Sequence, residues 1–297
     1  MKHKVDNAII MAAGYASRFA PISYECPKAL LEVKGEILIE RQINQLREVG
    51  IEEIVVVVGY KKEEFYYLKD KYGVIILENE EYNTKNNHAS IYAAKNYLKN
   101  TYICSSDNYF TENPFESEVD APYYAAVYAD GCTKEWCIKV DDEDWIVDVT
   151  VGGKNAWYML GHAFWSKEFS KEFISCLELV YRLSETKNKF WEDIYIDNID
   201  ELKLKIRRYD DNIIFEFDSL DELRAFDEKY INNTGSLILK QISSVLNCEE
   251  KDIKAIEPIK DISGNVNGFI FKNDNKEYRY LYETCCLLEV KSNAERN

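Results

Sequence analysis

Three short apolar runs, each followed by a stretch with helical spacing, confine this chain to a parallel α/β architecture. Ala8-Ile9-Ile10-Met11, the β-branched run within Glu53–Val58 and Gly73-Val74-Ile75-Ile76-Leu77 are each the length of one strand. The second, Ile54-Val55-Val56-Val57-Val58, has no polar alternation, as expected of a strand covered on both faces. Between them, Ile37–Val49 reads as a helix with Ile39, Ile43 and Leu46 on one face, stopped by Gly50. Lys61–Tyr72 reads as a second helix with Phe65, Leu68 and Tyr72 inward. Strand, helix, strand, helix, strand in this rhythm predicts βαβ units, a parallel sheet and ligands at the carboxyl ends of its strands. Tyr102-Ile103-Cys104-Ser105 is the next strand, ending in Ser106-Asp107-Asn108.

The first strand runs into Ala12-Ala13-Gly14, three residues with almost no side chain. Such a turn lets a ligand approach the amide N–H groups closely, and clustered N–H groups favour anions. Arg18 and Lys28 follow, so amides and two cations could converge on a polyphosphate. Taken alone, the same residues also read as a strand end and a loop with two surface cations. In Ile213-Ile214-Phe215-Glu216-Phe217-Asp218-Ser219, period two places Glu216 and Asp218 on one face, where two carboxylates repel unless a cation or solvent lies between them. Asp107 lies just past a buried strand. By position alone such an Asp is a turn residue or helix cap more often than a metal ligand.

The stretch MAAGYASRFAP…PKALLEVKG resembles the signature loop of the sugar-phosphate nucleotidyltransferase superfamily, a strand followed by A-A-G-x-G-[ST]-R-[LM]-x-P and then P-K-x-L. Ala16 stands where the pattern has its second Gly, which an Ala suits only if its φ is negative. Within that superfamily the chain is most similar, from about residue 5 to about residue 231, to bacterial CTP:phosphocholine cytidylyltransferases. The resemblance implies a Rossmann-like, mixed but mainly parallel sheet flanked by helices, and transfer of a cytidylyl group from CTP to phosphocholine. Ala12, Ala13, Gly14 and Arg18 would then hold the triphosphate, Lys28 would hold either the triphosphate or the acceptor phosphate, and Asn87 and Ser90 would read base and ribose. Asp107, with Glu216 and Asp218, would bind Mg²⁺. Cys132-Thr133-Lys134-Glu135-Trp136 is close to the family's C-T-x-E-W, and Phe190-Trp191-Glu192 resembles its aromatic-Trp-acid element. A quaternary ammonium is recognised by aromatic faces and a nearby carboxylate. Trp136, with Phe190 or Trp191, would therefore hold the choline head, and Glu192 or Asp193 would balance its charge. A different acceptor (phosphoethanolamine, or a sugar 1-phosphate with UTP) is the alternative within this chemistry, and a non-catalytic nucleotide-binding scaffold the alternative outside it.

Composition bounds the reading. A formal net charge of −16 argues against a nucleic-acid binder, and an acidic protein that handles a nucleoside triphosphate needs a cation. The eight Cys show no metal-ligand spacing, and Met1–Asp6 is too short and polar for a signal peptide, so a cytoplasmic enzyme is expected. No apolar run approaches the ~18 residues of a membrane span. From about 122 to 166 the chain turns to alternating, aromatic-rich segments, read as four antiparallel strands added to the sheet. Trp145, Trp157 and Trp165 are assigned to packing.

The linear plan is one nucleotidyltransferase domain over residues 1–231, a small α+β appendage over 235–290 and a disordered tail over 291–297. The appendage reads as the helix Leu237–Leu246 and two strands, Gly268–Phe271 and Tyr278–Glu283. It faintly resembles the start of a choline-kinase small lobe without room for a catalytic lobe. It is expected to be a packing element or a homodimer contact.

Overall fold

A computed structural model describes residues 2–262 and 264–290; the tail expected over 291–297 lies outside them. The chain forms two compact units, Met1–Gly14 with Glu36–Glu216, and Tyr15–Gly35 with Phe217–Asn297. Two pieces of the expected 1–231 domain, residues 15–35 and 217–231, thus group with the C-terminal segment.

The first unit is built on a seven-stranded mixed sheet. Its strands are β1 (Asn7–Ala12), β2 (Ile54–Val58), β3 (Ile75–Glu78), β4 (Thr101–Ser105), β6 (Tyr123–Val140), β7 (Ile146–Trp165) and β8 (Lys205–Tyr209), in the order β8-β6-β7-β4-β1-β2-β3. The pairs β4-β1, β1-β2 and β2-β3 are parallel, as the strand–helix rhythm predicts. A short strand between β4 and β6, β5 (Asn108–Phe110), pairs antiparallel with β9 (Ile214–Glu216). Its helices include α1 (Leu38–Glu48), α2 (His88–Ala93), α3 (Lys167–Val180) and α4 (Trp191–Asp197). The expected helix over Lys61–Tyr72 is a 3₁₀ turn, Lys62–Phe65, followed by the helix Tyr67–Tyr72.

The four antiparallel segments expected between 122 and 166 are two long strands. β6 pairs with β8 only over Tyr123–Val127, and β7 with β4 only over His162–Trp165, so their remaining lengths form an arm paired mostly to itself. Of the three Trp assigned to packing, only Trp165 is core, against Phe169, Phe173 and Trp191. Trp145 and Trp157 are half-buried under cations, Lys205 Nζ at 4.8 Å and the Arg208 guanidinium at 5.5 Å.

Helix α1 fixes the turn that carries Asp107. Its buried face holds Ile39, Ile43 and Leu46, and also Gln42 and Gln45. Gln42 Nε2 donates to the carbonyls of Ser105 (2.8 Å) and Asn108 (2.9 Å), bracketing Ser106-Asp107. Gln45 Nε2 donates to Phe110 O at 3.2 Å and Arg41 Nε to the same oxygen at 2.9 Å.

The second unit contains α5 (Leu220–Phe226), α6 (Leu237–Leu246) and a four-stranded antiparallel sheet rather than two strands. Its strands are β10 (Lys254–Lys260), β11 (Val266–Asn273), β12 (Lys276–Leu281) and β13 (Cys286–Val290), in sequential order. Gly268 is required there, because a Cβ would stand 2.2 Å from Tyr280 O. After α5 the helix breaks at Asp227 and Glu228, and a short helix, Lys229–Asn232, follows.

Replacing Gln42 by Leu leaves two buried carbonyls without their donor. The expected loss is about 1–3 kcal/mol of stability, read from the denaturant midpoint, with the sheet's far-UV signature retained.

Candidate active site

In the first unit the signature turn and Asp107 lie at the same end of neighbouring parallel strands. Met11 on β1 pairs with Ser105 on β4, and Ser106 N donates to Met11 O at 3.2 Å. Gly14 and Asp107 therefore follow adjacent strand ends within three residues of that pair. Ala12 and Ala13 are buried, so only Gly14 of the three opens to solvent. Ala13 O accepts from Tyr60 N at 3.1 Å, and Gly59 must be Gly because a Cβ would come within 2.9 Å of that same oxygen. A Cβ on Gly14 would meet nothing within 4 Å. Packing within the chain does not require glycine there.

Glu216, at the end of β9, stands opposite Asn108, whose Nδ2 donates to Glu216 Oε2 at 3.4 Å. The fold thus brings Glu216 beside the residue that follows Asp107, although more than a hundred positions separate them. Among the described residues no group of three Asp, Glu, His or Cys side chains converges as a metal cluster.

A second group of residues surrounds the start of α4. Phe190 precedes the helix with its ring 43% exposed, and Trp136 on the β6–β7 arm meets it edge-on, with centroids 5.7 Å apart and planes at 88°. Trp191 is 2% exposed, stacked on Tyr124 at 5.5 Å and packed against Trp165. Of the two rings the sequence left open, Phe190 is exposed, while Trp191 is a core residue. Asp193 accepts from Phe190 N at 2.7 Å and is occupied as a helix cap. Glu192 remains. Its Oε1 accepts from Tyr124 Oη (3.1 Å) and its Oε2 from Asn87 Nδ2 (3.2 Å). Burial outweighs these two bonds and pushes its pKa up to about 7.

Asn87 also accepts Trp191 N at 2.7 Å, so its amide joins the start of α2 to the start of α4. Ser90 is buried and accepts from Asn79 Nδ2 at 3.2 Å. Both residues assigned to base and ribose therefore have partners inside the protein. Tyr124 and Gln42 were missed by the sequence reading. Gln42 carried a signal, a polar residue interleaved with Ile39, Ile43 and Leu46. Tyr124 carried none, being one of many aromatics on β6.

In the second unit Arg18 pairs with Asp218 at 2.5 Å, an ion pair open to solvent. Asp218 was expected to bind metal with Glu216; within its unit its partner is this cation. Lys28 is buried, with Nζ 5.4 Å from the Phe19 ring centroid. Ala16 has φ 50° and ψ 53°. The expectation of a negative φ is corrected: Ala16 is left-handed, at a cost of roughly 1–2 kcal/mol.

A mixed sheet with a small-residue turn and an acid at the ends of adjacent parallel strands fits a nucleotidyltransferase, and comparison with known proteins places the chain in that class. Residues 8–121 match the model of the MobA-like NTP transferase domain. The chain is 37% identical over 221 residues to the choline-phosphate cytidylyltransferase of Streptococcus pneumoniae, covering 74% of this chain and 96% of that protein. It is 38% identical over 229 residues to the 2-aminoethylphosphonate cytidylyltransferase of Lancefieldella rimae, covering 76% and 93%. The solved structure of the CTP:phosphocholine cytidylyltransferase of Streptococcus pneumoniae superposes with a TM-score of 0.73 at 36% identity, covering 76% of this chain and 99% of that one. The chain belongs to the cytidylyltransferase family that contains the pneumococcal choline-phosphate enzyme.

The pKa of Glu192 gives a pH signature. A carboxyl raised on folding contributes stability that is fully present below its ordinary pKa of 4.5 and is lost as pH rises toward about 7. Relative to Glu192→Gln, wild type is expected to lose stability between those two values and to run parallel above them, as measured by urea midpoints across that range.

Proposed function

We propose that this protein makes CDP-choline and diphosphate from CTP and phosphocholine. A phosphocholine oxygen attacks the α-phosphorus of CTP, and the bond from that phosphorus to the bridging oxygen of diphosphate breaks. No protein nucleophile is needed, so catalysis rests on positioning and charge. The observation that carries the acceptor assignment is the corner formed by Trp136 and Phe190, two perpendicular rings with one open to solvent, beside the helix start that bears Glu192. Aromatic faces attract a trimethylammonium that can make no ordinary hydrogen bond, and an ionised Glu192 neutralises it.

The exposed end of β1, finishing at Gly14, leaves room for phosphate oxygens. Arg18 and Lys28 are assigned to the triphosphate on the strength of the motif. Asp107 and Glu216 offer hard oxygen donors beside Asn108, a set that fits Mg²⁺, which commonly takes one or two carboxylates and completes its shell with phosphates and water. When bound, such an ion would neutralise charge developing on the phosphates. Tyr124 and Asn87 hold the Glu192 carboxylate in place. A cytoplasmic location belongs to the same reading, supported by the absence of any disulfide among the described residues.

A second reading has one observation in its favour. Glu192 is a carboxylate able to accept hydrogen bonds from a primary ammonium, and one relative is a 2-aminoethylphosphonate cytidylyltransferase.

Diphosphate release from CTP and Mg²⁺ should be measured with phosphocholine, phosphoethanolamine, 2-aminoethylphosphonate and glucose 1-phosphate in parallel. Phosphocholine is expected to give the highest kcat/KM; preference for a primary amine would replace the first reading by the second. Trp136→Ala should raise the phosphocholine KM about three- to thirtyfold and leave that of CTP unchanged, the size of a desolvated cation–π contact. Asp107→Asn should lower kcat about a hundredfold or more with the fold intact, and unimpaired turnover would remove Asp107 from the reaction.

A further inference from the structure

The second unit joins two stretches of sequence nearly two hundred residues apart. One is 15–35, with Arg18 and Lys28; the other begins at Phe217 and includes the C-terminal sheet. Their contacts are specific. Tyr24 stacks on Tyr282, at the end of the sheet, with centroids 3.9 Å apart and planes at 11°. The neighbouring Glu25 accepts through Oε1 from the backbone N–H of Leu237 (2.7 Å) and Ile238 (3.2 Å). These are the first residues of α6, where unpaired N–H groups and the helix dipole favour a carboxylate. Further along, Tyr230 Oη donates to Glu32 O at 2.8 Å and Lys34 N to Asp227 Oδ2 at 2.7 Å.

The C-terminal sheet is itself tied to these partners. The buried guanidinium of Arg224 donates to Ile253 O (2.9 Å), Glu250 O (2.6 Å) and Tyr230 O (3.3 Å). Thr234 donates through N and Oγ1 to Glu250 Oε2 at 2.8 and 2.6 Å. Residues 236–290 are therefore built into the packing of the signature segment. A freely tethered module would lack these contacts.

We infer that the C-terminal module positions the signature segment for the nucleotide, with Tyr24, Glu25 and Tyr282 as positioning residues. The inference rests on the reading that residues 15–35 take the triphosphate. Tyr24 lies between Arg18 and Lys28 in sequence, so the stack restrains the backbone that carries both cations. Losing it widens the range of conformations the segment samples, and CTP must then select the competent one. The penalty falls on CTP and not on phosphocholine.

The test uses the full chain. Tyr24 is 41% exposed, so Tyr24→Ala is expected to fold, with its far-UV spectrum and urea midpoint as the check. Tyr24→Ala is expected to raise the CTP KM about three- to tenfold, with the phosphocholine KM within about twofold of wild type, and Tyr24→Phe to restore the CTP value because its ring still stacks. Amide hydrogen exchange over 15–35 should be faster in Tyr24→Ala and unchanged over 101–110. An unchanged CTP KM overturns the inference, whether or not exchange changes, and so does failure of Tyr24→Phe to rescue. If wild-type protein does not turn over CTP at all, the proposed reaction fails separately. Exchange alone then decides whether the module holds the segment: faster exchange in Tyr24→Ala supports that, and unchanged exchange overturns it.

Discussion

The register of β1 against its two parallel neighbours is the constraint on which the first unit's site depends. Ile10 pairs with both Val56 and Cys104, and Met11 with both Val57 and Ser105. Hydrogen bonds carry this register past the strand ends, from Ser106 N to Met11 O and from Tyr60 N to Ala13 O. A slip of one residue would move Asp107 about 3.3 Å along the sheet and turn each strand residue to the opposite face. The β-branched run of β2 is buried throughout and apolar on both faces, so the polar strand ends and the hydrogen bonds beyond them hold this register. Contacts at the strand ends thus fix where a turn residue stands at the sheet's edge.

The acids of the first unit lie in two different environments. Asp107 and Glu216 stand at strand ends with access to water, Asp107 half-buried and Glu216 exposed. A hydrated hard cation and phosphate oxygens suit such a setting. Glu192 sits at the start of α4, where burial favours its neutral form despite bonds from Tyr124 and Asn87. On the proposed function, a monovalent organic cation beside it would supply the missing counter-charge and shift the equilibrium toward the carboxylate. Hydration as well as shape would, on the same proposal, separate the metal–phosphate region from the ammonium region.

The parallel strands were legible in the sequence because continuous β-branched runs have few alternatives, and α1 because its apolar period is strong. Pairing of Trp136 with Phe190 followed from motif resemblance, and the structure brings the rings together. Other features depend on contacts distant in sequence. Nothing local in Asp193 distinguishes a helix cap from a ligand-facing acid, and nothing local in Trp191 distinguishes a core ring from a pocket ring. The C-terminal sheet was read as two strands because β10 and β13 lack clean alternation, being held by their neighbours more than by their own pattern. Composition could not show that residues 15–35 pack with the C-terminal segment, since that grouping rests on single contacts such as Tyr24 with Tyr282.

Ala16 connects these contacts to the signature segment's own backbone. A left-handed alanine persists only where its surroundings over-determine it. Its cost, roughly 1–2 kcal/mol, is matched by contacts made further along the same segment. A stacked aromatic pair contributes about 0.5–1.5 kcal/mol beyond its buried area, and a carboxylate at a helix start about 0.3–1 kcal/mol. Tyr24 on Tyr282 and Glu25 on α6 are contacts of these kinds, eight and nine residues beyond Ala16. A chain with the pattern's glycine at this position would carry no such strain. In this one, Tyr24 and Glu25 make contacts with the C-terminal module whose magnitude is comparable with that strain.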